Sequence, residues 1–302
     1  MSKTMKRLYS LILGGWGALL AWVLLDLVIR TNQTIGDSYL REALTGGIIG
    51  LLTGMLIAGF EKFNNTGRTV PTLQASAIGI VTGFVFGALG LFLANLIFLN
   101  LRVGEAWSPV LRVVGWGIFG LGVGLGPGIA TLSPAKAGWS GLGGLIGGIV
   151  GGIAFVLLVY NLGLDLTSRA WGFILIGLLV GTFIAILQIG AARAEIKIIS
   201  DDPNYNKEYA IDKGQVTIGS GSSDDWVITY DRRWFPYNQL QPRHLEIRKT
   251  GDKYMLICNY PQNCPFIERN NMRLPPQPSQ ELQNGDIIAF GTMQMAFKVI
   301  RR

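Results

Sequence analysis

The chain has 302 residues, 49% apolar and 15% charged, with 41 glycines and a formal net charge of +7. One histidine and two cysteines, Cys258 and Cys264, exclude a disulfide framework, a self-sufficient zinc site and a histidine-rich catalytic centre, so no cofactor is expected. The composition is also divided: residues 1–192 hold 35 of the glycines but only 17 Lys, Arg, Asp and Glu residues, against 28 in residues 193–302. The basic excess is dispersed rather than gathered on one stripe, so nucleic acid is not an expected partner.

Spanning a bilayer takes about 20 mostly apolar residues. Six stretches meet this, at Leu8–Ile29, Ala43–Phe60, Ala75–Leu99, Val110–Leu132, Trp139–Tyr160 and Trp171–Ile189. The second is short, and Gly126-Pro127-Gly128 in the fourth leaves room for a broken helix. The opening Met-Ser-Lys-Thr-Met-Lys-Arg resembles the start of a signal peptide, but the following apolar run is too long and lacks an Ala-x-Ala-like site, so a retained helix is expected.

Basic residues near helix ends set orientation. Lys3, Lys6, Arg7, Lys62, Arg68, Lys136, Arg193 and Lys197 fall on the side of the N-terminus, and Arg30, Arg41, Arg102, Arg112 and Arg169 on the other. This bias and the free cysteines favour both termini in the cytoplasm, and the expected location is a bacterial inner membrane. The even helices start just after Arg41, Arg112 and Arg169, which suggests three two-helix repeats.

Glycines recur at four-residue spacing, as in Gly46/Gly50/Gly54, Gly79/Gly83/Gly87, Gly120/Gly124/Gly128 and Gly144/Gly148/Gly152. Such rows let helix backbones approach closely, within one chain or between copies in a homo-oligomer. A pore or lipid path is the alternative. Asp26 is the only acid within a predicted span and lies near its end, whereas transporters of polar solutes usually carry central charges.

Beyond Arg193 short alternating runs are bounded by turn residues. Strands are predicted at Glu195–Ile199, Glu208–Ile211, Gln215–Ile218, Trp226–Thr229, His244–Arg248, Tyr254–Asn259, Phe266–Arg269, Asp286–Phe290 and Met293–Ile300. This pattern reads as an all-β sandwich.

Three motifs carry a further reading: Val216-Thr-Ile-Gly-Ser220, Asp225-Trp-Val-Ile228 and Arg243-His-Leu-Glu-Ile247. With Asn263 in a loop, Leu282-Gln-Asn-Gly-Asp-Ile-Ile288 and Gly291, residues 193–302 resemble a forkhead-associated (FHA) domain. The resemblance implies a β-sandwich that binds phosphothreonine peptides through loops at one end. It also implies structural roles for Gly219, Gly285, Asp286 and His244, the last orienting loops by hydrogen bonding.

The pattern's arginine after the glycine is Ser220 here, its serine is Gln241, and its Asn-Gly pair is Asn263-Cys264. A phosphate favours charge-assisted donors, arginine above all, so ordinary phosphothreonine recognition is not expected. Arg232, Arg233 and Arg243 could supply charge from another direction or be solvated surface charges, and Ser220 and Ser222 offer small donors. The segment Asp231-Arg-Arg-Trp-Phe-Pro-Tyr-Asn238 places Trp234 among the arginines and suits a core plug, a protein partner or the membrane interface.

No nucleophile elbow, Walker loop or His-Glu-x-x-His helix is present, so no enzyme activity is expected. The expected architecture is a polytopic α-helical bundle of six helices over 1–192, followed by a cytoplasmic FHA-like sandwich over 193–302. The expected function is a membrane-anchored adaptor or scaffold. Its partner-binding residues would be Ser220, Ser222, Arg232, Arg233, Trp234, Gln241, Arg243 and Asn263, and its partners the lipid bilayer and a protein, either phosphorylated on threonine or not. The alternative is a channel or transporter, its path lined by Asp26, Asn95, Asn161 and the arginines that start the even helices, with the FHA-like domain as regulatory module.

Overall fold

The computed structural model describes residues 3–100, 107–163, 166–200, 207–221, 224–227, 240–291 and 293–300. The chain divides into two compact units, one of Thr4–Lys62 and Thr72–Gly190, the other of Met1–Lys3, Phe63–Pro71 and Ala191–Arg302.

The first unit is helical. Helix α1 (Lys3–Trp22) runs on as a π-helix over Val23–Ile29, and a single turn, α2 (Thr31–Thr34), follows. The long helices are α3 (Ser38–Thr66), α4 (Thr69–Asn100), α5 (Ser108–Ala130), α6 (Pro134–Leu162) and α7 (Leu166–Ala191). Six helices among the described residues are long and apolar enough to cross a membrane, matching the six predicted spans in order. Local chemistry starts two of them. Asp37 Oδ1 accepts from the Leu40 amide at 2.8 Å. Ser133 Oγ accepts from the Lys136 amide at 3.3 Å, with Pro134 preset for a first turn.

Gly126-Pro127-Gly128 does not break its helix. Helix α5 continues to Ala130, so the discontinuous helix is replaced by an intact one with its proline in the final turn. A proline so near the C-terminus leaves the rest of the helix ladder untouched.

The glycine rows face other helices of the same chain. A β-carbon on Gly46, Gly50 or Gly54 of α3 would strike the carbonyl of Gly87, Gly83 or Gly79 of α4. The same relation joins Gly120 of α5 to Gly144 of α6, and Gly14 of α1 to Gly177 of α7. Gly90 meets Gly115 between α4 and α5, Gly147 meets Val180 between α6 and α7, and Gly17 meets Thr53 between α1 and α3. Each long helix thus touches its neighbour in sequence and α7 returns to α1, closing a ring. Where lipid removes the hydrophobic drive, such close packing lets dispersion hold the helices. One buried cluster, including Leu25, Ile49, Leu91, Phe119, Phe155 and Ile176, draws on all six.

Ionisable groups gather at the two ends of this ring. Near the starts of α1, α4 and α6, Lys136 is ion-paired with Glu61, which also accepts from Gln188 Nε2 at 3.0 Å. Near the other end, Arg169 Nη2 contacts Asp26 of the π-helix at 3.0 Å.

The second unit is dominated by a β-sandwich. Its strands are β1 (Ala194–Ile198), β2 (Glu208–Ile211), β3 (Gln215–Gly219), β4 (Trp226–Val227), β5 (Leu245–Thr250), β6 (Lys253–Cys258), β7 (Phe266–Arg269), β8 (Met272–Leu274), β9 (Ser279–Leu282), β10 (Ile287–Phe290) and β11 (Met293–Val299). One sheet has the order β2-β1-β11-β10-β7-β8 and the other β4-β3-β5-β6-β9. All described pairings are antiparallel except β3–β4. Alternate residues face inward, among them Ile196, Ile218, Ile247, Leu256, Ile267 and Phe297, in a single core.

Strands β8 and β9 were not predicted. The first completes a two-residue hairpin through Asn270 and Asn271, both at positive φ (52° and 62°), the geometry of a type I′ turn. The second is polar and follows a proline-rich stretch, which hides it from a hydrophobic pattern. The predicted end of the fourth strand, Ile228-Thr229, lies outside the described residues.

Candidate partner-binding site

The loops after β3, before β5 and after β6 converge at one end of the sandwich. Asp224, 1% exposed, ties the first two together. Its Oδ2 accepts from the Gly221 amide at 2.7 Å, and its Oδ1 and Oδ2 accept from the Arg243 amide at 3.0 and 3.2 Å. The Ser220 amide donates to the Gln241 carbonyl at 3.3 Å. Gly219 lies beneath this junction, where a β-carbon would meet Asp224 Oδ2, the Arg243 amide and the Gln241 carbonyl. No side chain fits there.

His244 joins the second loop to the third. It is fully buried, and its Nδ1 accepts from the Gln241 amide at 3.0 Å. Nε2 lies 2.9 Å from the Asn263 carbonyl. An acceptor at Nδ1 and a carbonyl at Nε2 define the neutral Nε2–H tautomer. Burial pushes the imidazole pKa below its ordinary 6.5, and the bond to Asn263 opposes this in part. The ring packs against Tyr260 and edge-on to Phe290. With no nucleophile on either nitrogen, His244 acts as a strut.

Arg243 adopts a left-handed backbone (φ 51°), uncommon for a residue with a side chain. It is held on both sides: Asp224 takes its amide, and Asn259 Nδ2 donates to its carbonyl at 2.7 Å. Its exposed side chain therefore projects from a fixed backbone, beside exposed Gln241 and Pro242. Below, both thiols approach the Tyr260 carbonyl, Cys258 at 3.3 Å and Cys264 at 3.6 Å. Burial and the hydrogen bond with Cys258 push the Cys264 thiol up to about 12, well away from a reactive thiolate.

The structure thus brings together Gly219, Ser220, Gln241, Arg243, His244 and Asn263. Ser222, Arg232, Arg233 and Trp234, with the rest of Asp231–Asn238, lie outside the described residues. Gly285 and Asp286 belong elsewhere, in the turn before β10. There Asp286 receives a two-pronged contact from Arg269 (Nε to Oδ1 2.9 Å, Nη2 to Oδ2 2.8 Å), and Gly285 has φ 93°.

Asp224, Asn259 and Arg68 were not among the predicted site residues. Asp224 was legible as an acid beside the glycine-bounded turn Gly219–Gly221. Arg68 was not, because it lies 152 positions before Ser220, whose carbonyl accepts from its Nη2 at 2.6 Å. Residues Phe63–Pro71 belong to the same compact unit as the sandwich.

Residues 216–291 match the model of the FHA domain family. Among solved structures, the chain is similar to a domain from a structural and functional analysis of phosphothreonine-dependent FHA domain interactions (23% identity, 36% of this chain and 98% of that chain, TM-score 0.29). It is also similar to the FhaA FHA domain complexed with the intracellular domain of Rv3910 (22% identity, 35% and 99%, TM-score 0.27). A third is the cytoplasmic domain of the sorting platform protein PscD from P. aeruginosa (17% identity, 36% and 82%, TM-score 0.28). No curated protein matches the chain in a sequence comparison. The segment running from β3 to the turn after β10 belongs to the FHA domain family, a family of protein-interaction modules.

Proposed function

We propose that this protein is a membrane-anchored adaptor whose FHA domain docks a protein partner through the loop end built around Ser220, Gln241 and Arg243. The helical half would sit in a bacterial inner membrane with both termini cytoplasmic, as the distribution of basic residues favours. Covalent attachment to a membrane raises the concentration of the domain against membrane-bound partners, so modest affinity suffices.

The observation that carries this reading is the backbone of Arg243, fixed in a left-handed conformation between Asp224 and Asn259. Strain of this kind, on the order of 1–3 kcal/mol, persists where surrounding bonds over-determine it, and it fixes the direction of the exposed Arg243 side chain. Two neutral residues, Ser220 and Gln241, flank it. With Arg68 Nη2 engaged by the Ser220 carbonyl, Arg243 between two neutral residues suits a carboxylate, a carbonyl or an aromatic face, and does not by itself replace the arginine that the FHA pattern carries at Ser220. Ser222, Arg232, Arg233 and Trp234 are further partner-binding residues in this proposal, on their residue types alone.

The test is titration of the full chain in detergent with phosphothreonine peptide pools and matched unphosphorylated pools. Binding to both pools within about twofold, and weakened in Arg243→Ala by about tenfold, is expected for a docking surface of this kind. Binding confined to the phosphorylated pool would make the domain a phosphate-dependent receptor. Binding to neither would remove the docking role and favour the alternative, a channel or transporter regulated by the domain. That second reading draws on the arginines that meet at one end of the helical ring.

A further inference from the structure

Two adjoining cavities, of about 200 and 240 Å³, open among the helices at the end where α3, α5 and α7 begin. Arg41 and Arg112 line both, and Arg169 lines the first. Each arginine stands within the first five residues of its helix, so the three helix N-termini contribute their partial positive charges at the same level. The floor is aromatic: Trp116 packs on Phe155 and Phe173, whose rings stack with centroids 5.7 Å apart.

Among the described residues that line or touch the cavities the charges do not cancel. Among the described residues Arg169 is paired with Asp26 at 3.0 Å, and Glu42 lines both cavities. Among the described residues Arg41 and Arg112 make no ion pair, and Nε of Arg169 is buried without a hydrogen-bond partner. Three guanidiniums against two carboxylates leave one cation in excess and several donors unused. The Lys136–Glu61–Gln188 cluster, in contrast, satisfies its cation internally. Unused guanidinium donors beside an apolar floor offer an anion from outside charge-assisted bonds that nothing else among the described residues takes up.

We propose that these cavities form a binding site for a phosphate-type oxyanion, held by the guanidiniums of Arg41, Arg112 and Arg169. Planar guanidinium forks from three separate helices can each donate to a different phosphate oxygen, and the aromatic floor accommodates an apolar portion of the ligand. The site lies at the first turn of the spanning helices, the depth of a lipid headgroup. The same chemistry would accept a free phosphate from solution.

The experiment is native mass spectrometry of the full chain in a zwitterionic detergent, with inorganic phosphate, dihexanoyl phosphatidic acid and dihexanoyl phosphatidylcholine as probes. One phosphate-bearing ligand per chain is expected, its affinity reduced at least about tenfold in Arg112→Gln and in Arg41→Gln. Arg30→Gln, an exposed arginine outside the cavities, should bind as the unmodified chain does. Saturation by inorganic phosphate assigns a free anion, and binding of phosphatidic acid without competition from phosphate assigns a lipid headgroup. The proposal is overturned if neither anionic probe binds, if phosphatidylcholine binds equally well, or if both cavity variants bind as the unmodified chain. Because Arg112 is exposed, its replacement removes charge without opening the core, and the phosphate competition needs no variant at all.

Discussion

Small numbers of buried polar atoms decide the geometry of the loops proposed to bind a partner. Asp224 accepts three backbone contacts from Gly221 and Arg243 while almost fully excluded from water. Removing it strands those donors, and each buried unsatisfied group costs about 1–3 kcal/mol. Asp224→Ala should therefore destabilise the sandwich by about 2–4 kcal/mol and release Arg243 from its left-handed backbone; chemical unfolding and the Arg243 amide resonance report the two effects. His244 gives a sharper expectation. As the only histidine, it contributes a single imidazole to an NMR titration, whose midpoint should fall below 6.5 with the proton on Nε2. The sign for stability follows. Below 6.5 the unfolded chain takes up a proton that the folded chain refuses, so stability present above 6.5 declines as the pH falls toward the folded midpoint. A midpoint above 6.5 would mean that the strut carries charge, contrary to the bonding described.

Among the elements, the helices of the ring depend on glycine for contact and the strands do not. Gly50 and Gly83 face each other backbone to backbone, so a methyl group at Gly50 has nowhere to go unless α3 and α4 separate. Overpacking of this kind costs typically about 1–3 kcal/mol. Gly50→Ala should lower the thermal midpoint of the full chain in detergent, whereas Gly138→Ala, which meets open space, should leave it unchanged or raise it. Equal effects at the two positions would contradict the packing. The elements also show where a linear pattern stops being informative. Six apolar runs announced six spanning helices because the bilayer requirement acts on each segment separately. Strands β8 and β9 escaped because their support comes from partners, Arg269 opposite Met272 and Leu256 opposite Gln280, and not from their own alternation.

At the level of the whole molecule, the proposed orientation in the membrane rests on where the basic residues fall and is open to a direct check. With both termini cytoplasmic, protease added to right-side-out membrane vesicles should spare the C-terminal sandwich, and protease added to inverted vesicles should remove it. The reverse pattern would place the FHA domain outside the cell and end the adaptor proposal as stated. The helical ring carries its ionisable groups at its two ends, and the ends differ in kind. One neutralises Lys136 with Glu61, while at the other, among the described residues, Arg169 pairs with Asp26 and Arg41 and Arg112 form no ion pair.

What the sequence by itself determined is what each segment must do in its own solvent. Apolar length specified the spans, period-two alternation specified most strands, and the Val216–Ser220, Arg243–Ile247 and Leu282–Ile288 motifs carried the family resemblance. The replacement of arginine by Ser220 and of serine by Gln241 was equally plain, because it needs only an alignment of residue types. Tertiary structure alone decided which distant groups meet. The closure of α7 onto α1, the approach of Arg68 to Ser220 and the convergence of Arg41, Arg112 and Arg169 join residues far apart in the chain, Gly14 with Gly177 among them. Such contacts leave no local periodicity, since they arise from the packing of finished elements and cost loop entropy that no neighbouring residue records.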